Sequence, residues 1–354
     1  MARGDLDADL PQSGGRRTGR PTLDEVAAVA GVARMTVSRV INSAASVSPR
    51  TRLLVERAIA ETGYVPNRAA QTLAGKRNGI VALVVPDPVS SIYGECYLSE
   101  VVHGIESVLA PLDVHLMLAL NRTGDEQGRL TQLMLGHRVD GVLLVSVLAN
   151  DHLPAMVERL HIPALFSGHS PARDAAGRVD VDDAEAACTA TAHLFGQGRR
   201  LVASLTGPPN SHPAQRRLEG YRRGVGLAGG GRGAGRLIAY GELTEDGGAR
   251  AMRDILAMEP DVDGVLAASD AMAAGALHAL RDAGRQVPGD AGVIGFNNSA
   301  IARHTDPQLT SVHLPLREMG QAMARVLLHR IGAPSSNRPS HSLLRAKLVR
   351  RDSA

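Results

Sequence analysis

The spacing of apolar residues along the chain changes near residue 79. Before that point they recur at helical intervals of three and four, as Val37, Val40 and Ile41 do in ARMTVSRVIN. Beyond it, short β-rich runs such as IVALVVPD, VHLMLAL and VDGVLLVSV alternate with amphipathic stretches. This pattern predicts a small all-α head, followed by an α/β body whose parallel strands are covered on both faces.

The head carries the start and stop signals of a helix-turn-helix. Thr22 and Glu25 form a capping box before the first helix, and Gly31 permits the left-handed turn that ends it. A second short helix, Arg34–Asn42, follows directly, which gives the proportions of the motif. A third helix is predicted over residues 48–63. We expect the inner faces of the first and third helices to be Val26, Val29 and Ala30, and Leu54, Ala58 and Ile59.

The second helix turns a polar face outward, away from Val37 and Val40. Arginine, serine, threonine and asparagine donate hydrogen bonds to phosphates and base edges, so this face predicts contact with double-stranded DNA. The alternative is that its charges are merely solvated, and the complete helix-turn-helix around them favours DNA. The outward residues are Arg34, Met35, Ser38, Arg39 and Asn42, with Thr36 at the edge.

Charge is distributed unevenly along the chain. Residues 1–78 contain 12 Lys/Arg and 7 Asp/Glu, whereas the other 276 residues contain 27 and 29, within a total net charge of +3. A basic head on a near-neutral body fits a polyanionic partner. At 354 residues the chain should also hold more than one domain, since single cores rarely grow past roughly 250–300 residues.

Composition excludes several other classes of protein. Cys96 and Cys188 match no metal or redox spacing, and the 13 histidines are scattered, so we expect no cofactor and no metal. No apolar run approaches the ~18 residues of a membrane span. The first residues lack the apolar stretch of a secretory signal, which indicates a cytoplasmic protein. No acid–base pair supports an enzyme.

Three stretches resemble lactose-repressor-type (LacI/GalR family) transcription regulators. They are TLDEVAAVAGVARMTVSRVIN, VSPRTRLLVERAIAETGYVPNRAAQTLAG and SDAMAAGALHALRDAGRQVPGDAGVIGF, and the resemblance runs from Thr22 to about Arg351. It implies a helix-turn-helix head joined by a hinge helix to a two-lobed body. That body would resemble periplasmic binding proteins, with two doubly wound parallel sheets.

The resemblance also implies a division of the chain. Residues 1–21 are expected to be a disordered basic arm, 22–66 the DNA-binding domain, 67–78 the hinge helix and linker, and 79–354 the effector-binding and dimerisation body. Within the body, the first lobe is expected at about 79–167 plus 311–332. The second is expected at about 168–297 plus 333–354.

Roles in DNA binding follow from matched positions. Arg34, Met35 and Arg39 match base-reading positions, and Leu73 matches a leucine that is wedged into the minor groove. One departure is Ala33, where the family usually has a serine cap whose loss should cost roughly 1 kcal/mol. The other positions implied in the DNA interface, mostly as phosphate contacts, are Thr22, Leu23, Thr36, Ser38, Asn42, Thr51, Asn67 and Ala70.

Strand ends nominate the effector site, because ligands of doubly wound sheets bind at the carboxyl ends of the strands. Arg217 matches an arginine that holds effector hydroxyls or carboxylates, and Asp270 belongs to a recurrent pair but could equally be a helix cap. Asn297 stands where sugar binders often have aspartate, and GELTED lacks their aromatic platform, yet a sugar or sugar derivative remains expected. The nominated residues are Asp87, Ser146, Arg217, Ser269, Asp270 and Asn297.

These observations predict a repressor that binds a pseudo-palindromic operator as a homodimer or tetramer, and whose DNA affinity is switched by a small-molecule effector. One alternative is a solute-binding protein that acts without DNA, which the missing signal peptide and the complete helix-turn-helix oppose. Another is an enzyme on the same body.

Overall fold

The computed structural model describes residues 21–41, 47–65, 77–86, 90–121, 127–136, 138–147, 153–168, 177–229, 235–332 and 341–354. The chain divides into two compact units, one up to Lys76 and one from Arg77 onward. Residues 1–20 of the expected arm and the expected hinge helix lie outside the described residues.

The first unit contains three short helices around a small core. They are α1 (Leu23–Ala30), α2 (Arg34–Ile41) and α3 (Pro49–Thr62). The predicted inner faces are partly wrong, because Val29 and Leu54 are exposed whereas Ala27 and Val55 are buried. The apolar spacing leaves the exact position of each buried stripe open, and the packing of the three helices decides it. The core consists of Val26, Ala27, Val37, Val40, Val55, Ala58 and Tyr64.

The second unit is built on two six-stranded sheets, as the alternating runs predict. The first sheet has the order β11-β5-β4-β3-β1-β2, and the second has the order β12-β10-β9-β8-β6-β7. The strands are β1 (Ile80–Pro86), β2 (His115–Asn121), β3 (Gly141–Val147), β4 (Ala164–Gly168), β5 (Gly177–Val181), β6 (Val202–Thr206), β7 (Ile238–Tyr240), β8 (Gly264–Ala267), β9 (Gly292–Asn297), β10 (Thr310–His313), β11 (His341–Leu344) and β12 (Lys347–Val349).

Helices connect these strands and cover the sheets, so each sheet with its helices forms one lobe. They are α4 (Ser90–Leu109), α5 (Gln127–Leu135), α6 (Leu153–Arg159), α7 (Asp183–Gly196), α8 (His212–Leu227), α9 (Glu245–Met258), α10 (Asp270–Asp282), α11 (Ala300–His304) and α12 (Leu316–Gly332). In the first lobe α12 packs closely on α4, where a Cβ added at Gly104 or Gly320 would overlap the backbone of the facing helix.

The expected lobe boundaries require correction. Strand β5 pairs in parallel with β4, and β11 pairs in parallel with β5, so both belong to the first sheet rather than to the second lobe. Strand β10 pairs with β9 and therefore lies in the second sheet, although the first lobe was expected to resume at about residue 311. The described chain thus passes between sheets after β5, after β10 and after β11, and the backbone pairing decides the assignment.

Candidate DNA interface and effector cleft

Helix α2 presents the predicted polar face. Val37 and Val40 are buried in the core of the head, whereas Arg34 and Arg39 are exposed. Met35 is 67% exposed, which is unusual for a large apolar side chain on a helix of eight residues. Thr36 and Ser38 lie partly exposed beside them. The structure therefore brings the predicted residues of α2 together on one accessible surface.

Local contacts explain how α2 forms without the usual serine cap. The Ala33 carbonyl accepts hydrogen bonds from the Thr36 and Val37 amides at 2.8 and 3.3 Å. The Arg34 Nε lies 3.6 Å from the Asp24 Oδ1 on α1, and both side chains are about two-thirds exposed. Because exposed ion pairs contribute little free energy, this contact leaves Arg34 available to a ligand.

The remaining predicted DNA contacts fall into two groups. Thr22 forms the predicted capping box with Glu25. Thr51 lies in the first turn of α3, where its backbone amide donates a hydrogen bond to the Ser48 hydroxyl at 3.2 Å. Leu23 is half-buried and packs against the core of the head, so its side chain supports the fold. The residues outside the described part of the chain are Asn42, Asn67, Ala70 and Leu73.

A cavity of about 240 Å³ lies between the two lobes of the body. The carboxyl ends of β4 and β5 and the first turn of α12 line it from the first lobe, and the first turns of α7 and α8 line it from the second. Its walls are unusually rich in charge. The lining residues include Tyr97, Ser167, Gly168, Arg178, Asp180, Asp182, Asp183, His212, Arg216, Arg217, Leu314, Met319 and Leu343.

Arg217 lines this cavity, as the sequence predicts, but it is also deeply engaged with the protein. Its Nε donates to the Asp183 Oδ1 at 2.7 Å, and one amino group donates to the Ala268 carbonyl at 2.5 Å. The guanidinium lies 4.5 Å from the centre of the Phe296 ring. Burial raises the pKa of Asp183, and the Arg217 guanidinium opposes that rise. Arg217 therefore joins α8 to α7 and to the end of β8.

Two residues of β5 form a second charged contact in the cavity wall. The Arg178 Nε donates to the Asp180 Oδ2 at 2.9 Å. The other carboxylate oxygen, Oδ1, accepts from the Ser167 hydroxyl at 3.0 Å and from the Gly168 amide at 2.7 Å. This carboxylate is thus fixed by three donors at the carboxyl ends of β4 and β5.

Three nominated effector residues that the structure describes, Ser269, Asp270 and Asn297, do not line this cavity. Ser269 is the N-cap of α10, where its hydroxyl accepts from the Met272 amide at 3.1 Å. Asp270 is almost fully buried, and Asn297 ends β9 with a positive φ of 98°. Asp87 lies outside the described residues, and so does the side chain of Ser146.

Asp270 links two segments of the second lobe by hydrogen bonds. Its carboxylate accepts from the Ser299 amide at 2.6 Å and from the Ser311 hydroxyl at 2.5 Å. The Ser311 hydroxyl in turn accepts from the Asn298 amide at 3.0 Å. Asp270 therefore fixes the turn that follows Asn297 to β10, and the structure gives this side chain a positioning role rather than an exposed contact.

Burial raises the pKa of Asp270 from 3.8 to about 6, against the opposing hydrogen bonds from Ser311 and Ser299. Because the folded state then holds this proton more tightly than the unfolded state, its contribution to stability is present below pH 4 and is lost as the pH rises through 6. We expect the free energy of unfolding of wild type, relative to Asp270→Asn, to fall by about 2–3 kcal/mol between pH 4 and pH 7, since each pKa unit corresponds to about 1.4 kcal/mol. Urea titrations of both proteins across this range measure the effect, and parallel profiles would contradict it.

Several residues of the cavity were missed by the sequence analysis. Arg178, Asp180 and Asp183 lie in GRVDVDDAE, a short half-polar segment that gives no β-rich apolar run. The feature that could have identified this segment is its cluster of carboxylates just before an alanine-rich helix. Ser211, the N-cap of α8, precedes the cavity-lining His212 and was also missed; its buried hydroxyl has no hydrogen-bond partner among the described residues.

Two further findings concern the described residues alone. Within them, no helix has both the length and the apolar character needed to cross a bilayer. In the same part of the chain, no three His, Cys, Asp or Glu side chains are grouped so as to hold a metal ion.

Comparison with known families assigns both units. Residues 22–67 match bacterial regulatory proteins of the lacI family. Residues 191–354 match a periplasmic binding protein-like domain. Among curated proteins, the chain is 42% identical over 339 residues to the HTH-type transcriptional regulator CelR of Thermobifida fusca, covering 95% of this chain and 99% of that protein. It is 32% identical to the ribose operon repressor of Escherichia coli K12, covering 89% of this chain and 94% of the relative.

Two solved structures of transcriptional regulators also match the chain over most of its length. A CelR–cellobiose complex is 40% identical, with a TM-score of 0.74 over 95% of this chain and all of that one. A lac repressor dimer bound to operator and to the anti-inducer ONPF is 27% identical, with a TM-score of 0.83 over 95% of this chain and 99% of the other. The likeness therefore extends over both units of the chain.

Proposed function

Because the chain belongs to the lacI family of bacterial regulatory proteins, we propose that it is a transcriptional repressor whose operator affinity is switched by a sugar. The observation that carries this proposal is the combination, in one chain, of a helix-turn-helix with an exposed polar face and a cavity between two lobes that is lined by charged side chains. A protein that only binds solutes does not require a helix-turn-helix.

On the DNA side, α2 enters the major groove and its outward residues face the bases. Arg39 supplies a bidentate guanine contact, and the apolar Met35 suits a thymine methyl group. Thr22, Thr36, Ser38 and Thr51 hold phosphates around it. Arg34 lies on the same exposed surface and reads a further base. Leu73 is proposed as a minor-groove wedge in the hinge, on the strength of its sequence position.

On the effector side, we take the sugar to bind between the lobes, where Arg217 and Arg178 approach from opposite walls. The CelR–cellobiose structure supports a neutral β-linked glucose disaccharide as the first ligand to test. Such a ligand changes DNA affinity only by its differential affinity for two arrangements of the lobes. We further propose that the protein acts by binding alone, so that the sugar is recovered unchanged.

The experiment that tests this function begins with selection of DNA from a random duplex library by the purified full-length protein. A pseudo-palindromic site should emerge. Band-shift titrations of that site, with and without cellobiose, glucose and ribose, should then show a tenfold or larger change in affinity with at least one sugar. Selection without a consensus sequence would refute the DNA-binding role, and sugar-independent binding would refute the switch.

We also propose a homodimer, because the first lobe exposes an apolar edge. Among the described strands, β2 pairs only with β1 and ends the first sheet. Leu118 and Leu120 lie on the same side of this strand and are 50% and 41% exposed. An exposed, apolar edge strand is a liability unless a partner covers it. A second copy of the chain meets this need and matches a two-fold symmetric operator.

Changing both leucines to aspartate is expected to convert the dimer into a monomer and to weaken operator binding by at least about tenfold, because two half-sites then bind independently. Sedimentation velocity and band shifts measure the two effects. Leu227→Asp is the matched control, since Leu227 is an even more exposed leucine at the end of α8 in the second lobe. Equal behaviour of the two variants would remove β2 from the interface.

A further inference from the structure

We propose that the Arg178–Asp180 pair makes the cleft selective for an uncharged saccharide over a sugar phosphate or a sugar acid. The inference rests on the proposed function, because it takes the cavity between the lobes as the effector site. It goes further by naming the charge class of the ligand and the residues that impose it.

The first observation is the balance of charge in the cavity wall. Three arginines line it, and each has a carboxylate partner among the described residues. Arg178 pairs with Asp180 at 2.9 Å, Arg217 pairs with Asp183 at 2.7 Å, and Arg216 pairs with Glu219. Glu219 is not part of the lining, but Asp182 is, so the lining carries three carboxylates and three guanidinium groups. A phosphate brings about −1.5 to −2 charges, which such a wall leaves uncompensated.

The second observation is that three hydrogen bonds hold the Asp180 carboxylate in place in the cavity wall. This carboxylate is only 13% exposed and accepts hydrogen bonds from Arg178, from the Ser167 hydroxyl and from the Gly168 amide. A phosphate that approached Arg178 would therefore meet a fixed negative charge on the same strand. Partial burial strengthens this repulsion, because the interaction is screened less than it would be in open solvent.

The third observation concerns the hydrogen bonds that remain. Arg178 uses its Nε for Asp180, is 37% exposed, and has both terminal amino groups without a partner among the described residues. A carboxylate can accept about four hydrogen bonds, so Asp180 retains room for one more. The pair thus offers donors and an acceptor side by side. Sugar hydroxyls both donate and accept, whereas a phosphate dianion only accepts.

Calorimetric titration at pH 8, where an imidazole is ordinarily neutral, tests the inference on full-length protein. The probes are cellobiose and glucose, each with its 6-phosphate, and glucuronate. Wild type should bind at least one neutral sugar at least about tenfold more tightly than its phosphate. Asp180→Asn releases Arg178 from its partner and should shift this ratio at least about tenfold toward the phosphate.

Glu219→Gln is the matched control, because it also removes the partner of a cavity-lining arginine. That pair is 40% and 57% exposed, so water screens the released charge and the ratio should stay within about threefold of wild type. Arg178→Gln tests the opposite direction. It should increase discrimination against the phosphate, and it carries the test if Asp180→Asn fails to unfold cooperatively.

The possible outcomes distinguish a failure of the selectivity inference from a failure of the proposed function. If wild type binds a sugar phosphate as tightly as the neutral sugar, or if Asp180→Asn and Glu219→Gln shift the ratio equally, the selectivity inference is wrong and a sugar-responsive repressor remains. If operator binding is intact but no probe binds, neutral or charged, the proposed sugar effector fails as well.

Discussion

Replacing Arg217 with methionine is expected to lower the free energy of unfolding by about 3–5 kcal/mol and to abolish the response to sugar. The side chains of Arg217 and Asp183 are only 8% and 12% exposed. Removing one partner of a buried ion pair leaves the other charge without compensation, and that loss accounts for the magnitude. The Ala268 carbonyl also loses its donor, and Phe296 loses the cation above its ring.

The double variant Arg217→Met/Asp183→Asn distinguishes the two roles of Arg217. Because a buried pair replaced by neutral groups of similar size is often tolerated, we expect most of the lost stability to return. The sugar response should not return, since the donor groups facing the cavity are still absent. Urea unfolding and band shifts with sugar measure the two properties. A double variant that responds to sugar would exclude Arg217 as an effector contact.

Arg216→Met is the control for the single change. Arg216 is the next residue on α8 and also lines the cavity, but its contact with Glu219 is exposed. It should change unfolding by no more than about 0.5 kcal/mol. The structural role of Arg217 comes from its ion pair with Asp183, 34 positions earlier, and no local sequence pattern reveals this partner.

The sequence predicted the architecture well where its signals were long or local. The runs IVALVVPD and VDGVLLVSV became β1 and β3, and the capping box at Thr22 is present. It was wrong about which lobe contains β5, β10 and β11. The segment GRVDV is short and half-polar because Arg178 and Asp180 face the cavity, so it did not register as a strand of the first sheet.

The sequence predicted a residue of the cavity only where its residue type and position were informative without knowledge of distant partners. Arg217 could be proposed because it matches an arginine of the resembling family, in the helix that follows β6. Asp270 could not be interpreted in the same way, since its partners Ser299 and Ser311 lie 29 and 41 residues away. Its local sequence fits a helix cap and an effector contact equally. In the folded chain Ser269 is the cap instead, and the long-range hydrogen bonds of Asp270 give it a positioning role.

Arg39→Ala is expected to weaken binding to the selected operator by ten- to a hundredfold and to relax sequence preference at one base pair in each half-site. Arg39 is exposed beside Met35 on the outward face of α2, where Val37 and Val40 anchor the helix in the core. A bidentate arginine–guanine contact discriminates against the wrong base by about 1–3 kcal/mol. Loss of that contact should therefore affect specific DNA far more than random DNA.

Titrations at two salt concentrations, on the operator and on a scrambled duplex, measure the two losses separately. Arg57→Ala is the matched control, since Arg57 is exposed on α3 and its removal deletes the same charge from the same domain. A pure phosphate contact would weaken binding to both duplexes equally and would lower the salt dependence by about one unit of slope. If Arg39→Ala behaves in that way, Arg39 holds the backbone, and base reading must be assigned to Arg34 and Met35 instead.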